Sequence, residues 1–140
     1  MSKDQVRVVM ADDHTRLRAR VRAALEADGC VVCGEGATAD DAIALVDEHR
    51  PDVALLDIHM PGSGIRAAQA ITSVHPETSV VMLTQSSDDA DLFDALRAGA
   101  QGYLLKGGDP SALGTALRGV LAGEAAMDPR LVTRILDEFR

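Results

Sequence analysis

Aromatic residues are almost missing from this chain: two Phe, one Tyr and no Trp among 140 residues. Any core must therefore be built from Val, Leu, Ile, Ala and Met. Cysteine is as scarce, with only Cys30 and Cys33. A C-x-x-C pair raises the question of redox or zinc chemistry. No second pair exists to complete a zinc site, and redox pairs favour helix N-termini, whereas CVVCGEG reads as a strand. Residues three apart on a strand face opposite sides, so these two are expected to be structural thiols. No apolar run approaches the roughly 20 residues of a membrane span. The opening MSKDQ lacks the apolar segment of a signal peptide, and a cytoplasmic location is expected. Positive charge is also short: 14 Lys and Arg against 22 Asp and Glu leave a net charge of −8. A domain this acidic is not expected to hold nucleic acid through its overall field.

What is present is an alternation of two periodicities. Short apolar runs at Val6–Met10, Cys30–Cys33, Val53–Leu56, Val80–Leu83 and Tyr103–Leu105 read as five strands. Between them, apolar residues recur at helical spacing. Leu17, Val21 and Leu25 form one such face, with Gly29 as its stop. Ala42, Ile43 and Val46 follow a cap at Thr38 or Asp40, and Ile65, Ala68 and Ile71 end before Pro76. Leu92 and Leu96 follow a cap at Asp88 or Asp89, and Leu113, Leu117 and Val120 follow Pro110. Strands apolar on both faces belong to a parallel sheet covered by helices on each side. Right-handed crossovers then favour a doubly wound α/β sheet of order 2-1-3-4-5. Length and pattern predict a single domain over residues 1–125. A short extra helix follows in 126–140, where Leu131, Val132, Ile135, Leu136 and Phe139 need a partner.

Five polar residues fall just past the strand ends of that order. Asp12 and Asp13 follow the first strand, Asp57 the third, Thr84 the fourth and Lys106 the fifth. Singly they are ordinary. An Asp-Asp pair commonly caps a helix, a strand-end Thr is a β-former, and Asp before a Pro-Gly turn is turn chemistry. Together they converge, because residues beyond the carboxyl ends of parallel strands meet in one crevice where strand order reverses. Three carboxylates and one ammonium leave a local charge of about −2, which one Mg²⁺ (or Mn²⁺) would cancel. Magnesium takes oxygen ligands of this kind. Asp57 suits the nucleophile of a phosphoryl transfer, with Thr84 and Lys106 as donors to phosphoryl oxygens. Backbone N–H groups near His59 and Gln85 would complete the cradle.

The stretches VVMADDH, DVALLDIHMPG, SVVMLT and GAQGYLLKG resemble the response regulator receiver domain of two-component signalling, over residues 5–125. The resemblance implies a flavodoxin-like fold and phosphorylation of Asp57 by a sensor histidine kinase. It implies a metal site of Asp12, Asp13, Asp57 and the His59 backbone carbonyl. Thr84 and Lys106 would follow the phosphoryl group, and Tyr103 matches the family's aromatic switch position. GYLLKG and the tail GEAAMDPRLVTRILDEF are similar to the NarL/LuxR-type branch, whose receivers carry a helix-turn-helix output domain. Residues 126–140 would then be a linker toward such a domain, absent here, through which DNA would be bound and transcription controlled. Such a receiver is a switch rather than a conventional enzyme.

Two features depart from the family pattern. The turn MPGSG after Asp57 is one residue short, and Gln85 stands where a small residue is usual. His59 is expected to gate water, and with Gln85 to slow phosphoryl access and hydrolysis. Homodimerisation through helical faces, including the first and fifth helices, is a further expectation. Arg16, Arg18, Arg20 and Arg22 make the first helix basic, which is a solvated face or a docking surface for an acidic partner. The alternative function is an atypical receiver that binds partners without phosphorylation. A metal-dependent phosphatase would need a substrate cap, and no insertion supplies one.

Overall fold

The computed structural model describes residues 5–140, so most of the MSKDQ opening lies outside the described residues. Six parallel strands lie in the order β2-β1-β3-β4-β5-β6. They are β1 (Arg7–Ala11), β2 (Val31–Gly36), β3 (Val53–Leu56), β4 (Ser79–Thr84), β5 (Gly102–Leu105) and β6 (Ala126–Met127). The helices are α1 (Thr15–Ala27), α2 (Ala39–His49), α3 (Gly64–Val74), α4 (Asp89–Arg97), α5 (Leu113–Leu121) and α6 (Pro129–Glu138). The first five strands keep the expected flavodoxin-like order 2-1-3-4-5. The sixth is a correction: Gly102 and Tyr103 pair with Ala126 and Met127, a strand too short to leave a periodicity.

Alternation along each strand sorts its side chains into two cores. Val9, Ala11, Ala54, Leu56, Val80 and Met82 face α2, α3 and α4. Val8, Met10, Val53, Leu55, Val81 and Leu83 face α1 and α5. β3 and β4 are buried at every position, which is why they read as unbroken apolar runs.

The second strand begins and ends later than the cysteine run suggests. Gly34 and Gly36, part of the CVVCGEG stretch read as a strand, lie within it with α2 directly above. A Cβ on Gly34 would come within 2.6 Å of Leu45 Cδ2. Cys30 packs into one core and Cys33 against the other, and both thiols are free. Burial pushes the Cys30 thiol above its usual pKa, which makes it a poor nucleophile.

Thr38 and Asp88 cap α2 and α4, each accepting an N–H of the first turn. Asp128 caps α6 just ahead of Pro129. The tail docks on the α4 side of the sheet, with Leu131 buried and Ile135 packed against the core. Val132, Leu136 and Phe139 remain exposed. Arg134 donates to the Ser87 carbonyl at 2.7 Å and pairs with Asp89 at 3.2 Å, so α6 is tied to the loop after β4.

Gly64, first residue of α3, lies against the backbone leaving β3. A Cβ there would stand 2.9 Å from Ile58 Cα and still closer to the Asp57 carbonyl. Gly-to-Ala in a helix ordinarily stabilises by up to ~1 kcal/mol. Here the backbone cannot yield, so Gly64→Ala should instead destabilise by about 1–3 kcal/mol in urea unfolding.

Candidate functional site

The carboxyl ends of β1, β3, β4 and β5 bring the five expected polar residues to one end of the sheet. Parallel pairing sets Ala11 beside Leu56 and Thr84 beside Leu105, so the residues that follow converge. Asp12 and Asp57 are buried, with side chains 7% and 3% exposed. Asp13 is more open, at 39%. The Lys106 ammonium lies 2.8 Å from Asp12 Oδ2 and 3.3 Å from Asp57 Oδ2, with its side chain 3% exposed. Asp57 Oδ2 is nonetheless buried without a hydrogen-bond partner. An orphaned buried carboxylate oxygen is costly unless something completes it.

Asp12 also has an ordinary local role in the turn that leads into α1. Its Oδ1 accepts the His14 backbone N–H at 2.8 Å at the start of α1. Thr84 is fully buried, and its Oγ1 accepts the Ser86 N–H at 3.3 Å. His59 and Gln85 are both exposed at the rim. His59 Nε2 lies 2.7 Å from Asp91 Oδ2, which ties the loop after β3 to α4.

The short turn after Asp57 closes through left-handed backbone at two positions. Gly62 and Ser63 both adopt positive φ, +86° and +73°. For Ser63 such a φ costs ~1–3 kcal/mol. Its hydroxyl offsets this by accepting the Ile65 and Arg66 N–H groups, and the Gly64 N–H donates to the Ile58 carbonyl at 2.8 Å. The turn therefore still delivers Asp57 to the site.

Other participants left little trace in the sequence. His14 Nδ1 lies 3.1 Å from Asp12 Oδ1, 3.8 Å from Asp57 Oδ2 and 2.9 Å from Lys106 Nζ. Only its adjacency to Asp12-Asp13 hinted at this. Ser86 Oγ donates to Asp91 Oδ2 at 2.6 Å, and the Ser86 carbonyl accepts the Tyr103 hydroxyl at 2.9 Å. Burial pushes the Asp91 carboxyl up, but the Ser86 hydroxyl and the His59 ring outweigh it and hold the pKa below its usual value. The basic face of α1 is partly consumed within the molecule. Arg18 and Arg22 both pair with Glu35, while Arg16 and Arg20 stay exposed.

Residues 8–118 match the family model of the response regulator receiver domain. The chain belongs to that family. It is 40% identical over 140 residues to the uncharacterized transcriptional regulatory protein YxjL of Bacillus subtilis, covering 99% of this chain and 64% of YxjL. It thus spans a little under two thirds of that relative. The receiver domain of the putative response regulator NarL from Mycobacterium tuberculosis superposes with a TM-score of 0.82 at 36% identity, covering 86% of this chain and 98% of that one. The isolated receiver of RcsB from Salmonella enterica serovar Typhimurium, with the phosphomimetic BeF3⁻, gives 0.80 at 28% identity, covering 93% and 97%. The relatives of this receiver are regulators of the NarL/LuxR type.

Tyr103 is fully buried rather than half-exposed with its hydroxyl in water, the ordinary expectation for a lone tyrosine. Burial pushes its pKa up to about 12, against the Ser86 hydrogen bond and helped by nearby Asp91 and Asp88. It is the only tyrosine, so its ultraviolet titration is unambiguous. The phenolate should form near pH 12 in the native receiver and near pH ~10 after urea unfolding. Between those values the native state binds the extra proton, so stability is intact below pH ~10 and falls as pH rises toward 12. An equal midpoint in both states would show that the ring is not held inside.

Proposed function

We propose that this receiver is a phosphoacceptor switch in which Asp57 takes a phosphoryl group from a sensor histidine kinase. The observation that carries the reading is Asp57 Oδ2: buried, without a hydrogen bond, and 3.3 Å from the Lys106 ammonium. A buried carboxylate oxygen without a hydrogen bond is left for a cation or a phosphoryl group to complete. In the transfer, an Asp57 oxygen forms a bond to phosphorus as the bond from phosphorus to the donor's imidazole nitrogen breaks. The electron pair leaves with the donor, and an acyl phosphate remains on Asp57.

Three carboxylates around one ammonium fit a divalent cation, and Asp12, Asp13, Asp57 and the His59 backbone carbonyl would hold Mg²⁺ (or Mn²⁺). When bound, the ion supplies positive charge against the phosphoryl oxygens. The chain's own residues do the rest. Lys106 is placed to pair with one phosphoryl oxygen. Thr84 would exchange its bond from the Ser86 N–H for one its hydroxyl donates to another. Because Ser86 also holds Tyr103 and Asp91, a move of Thr84 is felt at both. His59, tied to Asp91 at the rim, and exposed Gln85 would limit access of donor and water.

Residues 1–125 would be the receiver and 126–140 the helix leading to an output domain. The name and extra length of YxjL support transcriptional control through DNA bound by that domain. Among the described residues no helix is long and apolar enough to cross a membrane. We place the protein in the cytoplasm, where a histidine kinase would meet it. Pairing of two copies through helical faces such as α1 and α5 belongs to the same reading.

Intact-mass measurement after Mg²⁺ and acetyl phosphate tests it. The wild type should gain one phosphoryl group, and Asp57→Asn none. Asp13→Ala and Lys106→Ala should lower the yield. Light scattering with beryllofluoride reports pairing in the same samples. A folded wild type that gains no adduct would sink the switch and favour a partner-binding module that works without phosphorylation. Separately, Mg²⁺ at about a hundred times its Kd should stabilise the wild type by about 2.7 kcal/mol. Asp57→Asn should lose most of that gain.

A further inference from the structure

His14 lies at this site, yet the switch chemistry gives it no role. It is the N-cap residue of α1, yet its side chain makes no capping bond. Its backbone N–H donates to Asp12 Oδ1 at 2.8 Å, and its ring, not engaged in capping, turns into the acidic cleft. One ligand atom from each of Asp12, Asp13, His14 and Asp57 lies within 4.8 Å of every other.

The contacts of the ring show which atom it offers. His14 Nδ1 lies 2.9 Å from the Lys106 ammonium and 3.1 Å from Asp12 Oδ1, so it is Nδ1 that faces the cleft, and it can bind a cation in the tautomer that carries its proton on Nε2. The same ammonium lies 2.8 Å from Asp12 Oδ2 and 3.3 Å from Asp57 Oδ2. A cationic group thus already rests among two carboxylates and one imidazole nitrogen. The unpartnered Asp57 Oδ2, 3.8 Å from the same nitrogen, marks this as the point where a further cation is wanted.

Given the divalent-cation reading above, on which this rests, we propose that His14 Nδ1 joins the carboxylates as a ligand and biases the site toward Mn²⁺ over Mg²⁺. The chemistry follows from the donor set. Magnesium is a hard cation that takes oxygen, whereas manganese and the later divalent metals gain more from an imidazole nitrogen. A neutral ring adds a ligand without adding charge, so it changes which metal is preferred more than how strongly the cleft attracts cations.

Calorimetric titration of metal-free protein with Mn²⁺ and Mg²⁺ separately, in wild type, His14→Ala and His14→Asn, tests the assignment. Asn is a good N-cap, so the second variant guards the start of α1 while replacing nitrogen with oxygen. Both variants should weaken Mn²⁺ binding about ten- to a hundredfold, the range in which changes around a metal act. Mg²⁺ binding should change far less. Pulsed electron paramagnetic resonance of bound Mn²⁺ should show a ¹⁴N coupling in wild type that both variants lose. Wild-type Mn²⁺ without nitrogen coupling, or the two metals weakened in parallel by both variants, would overturn the proposal while leaving the cation site standing. Failure of wild type to bind either metal would overturn both.

Discussion

The structure turns on one electrostatic conflict: two buried carboxylates, Asp12 and Asp57, share a single buried ammonium, Lys106. Like charges at this separation repel, and burial strengthens the repulsion because water is excluded. One lysine cannot satisfy both carboxylates fully, and Asp57 Oδ2 is left without a hydrogen bond. The rest of the fold maintains this imbalance. β1, β3 and β5 fix the three backbones in register, and the two apolar cores keep the strands from relaxing apart. A site with surplus negative charge, built into rigid strand ends, responds strongly to any added cation or anion.

The architecture was largely legible because apolar strands separated by amphipathic helices write their period directly into the residues. Five strands, their order and the convergence of Asp12, Asp13, Asp57, Thr84 and Lys106 follow from that period and from the handedness of crossovers. What escaped has physical causes. That Gly34 and Gly36 lie under a helix packed overhead is written nowhere in the local sequence. β6 is two residues long, below the length at which alternation is visible. The polar contacts of His14, Ser86, Asp91 and Arg134 depend on where separate elements meet, and no spacing rule encodes that. The shortened turn after Asp57 could be seen as a departure. Its solution, positive φ at Gly62 and Ser63 with a close crossing at Gly64, could not.

The loop after β4 is held from several sides. The Ser86 N–H is taken by Thr84 inside the site, its hydroxyl by Asp91 on α4, and its carbonyl by Tyr103 from within the sheet. The next carbonyl, that of Ser87, is gripped from outside by Arg134 on α6. Adjacent peptide groups of one short loop therefore answer to the pocket, to the core and to the tail. Asp91 adds His59 to the same group, so the rim on the β3 side is mechanically joined to α4. Rearranging any one of these contacts requires the others to adjust, since each buried polar group must keep a partner.

The two-residue strand β6 has a consequence beyond its size. Without it, β5 would be the outermost strand on its side of the sheet, with a row of backbone donors and acceptors open to pairing with another polypeptide. Ala126 and Met127 occupy part of that row, and α6 anchors them through Leu131. The tail thus serves as a built-in guard against self-templated aggregation. Any event that peels it away would create a sticky margin next to the only tyrosine of the molecule.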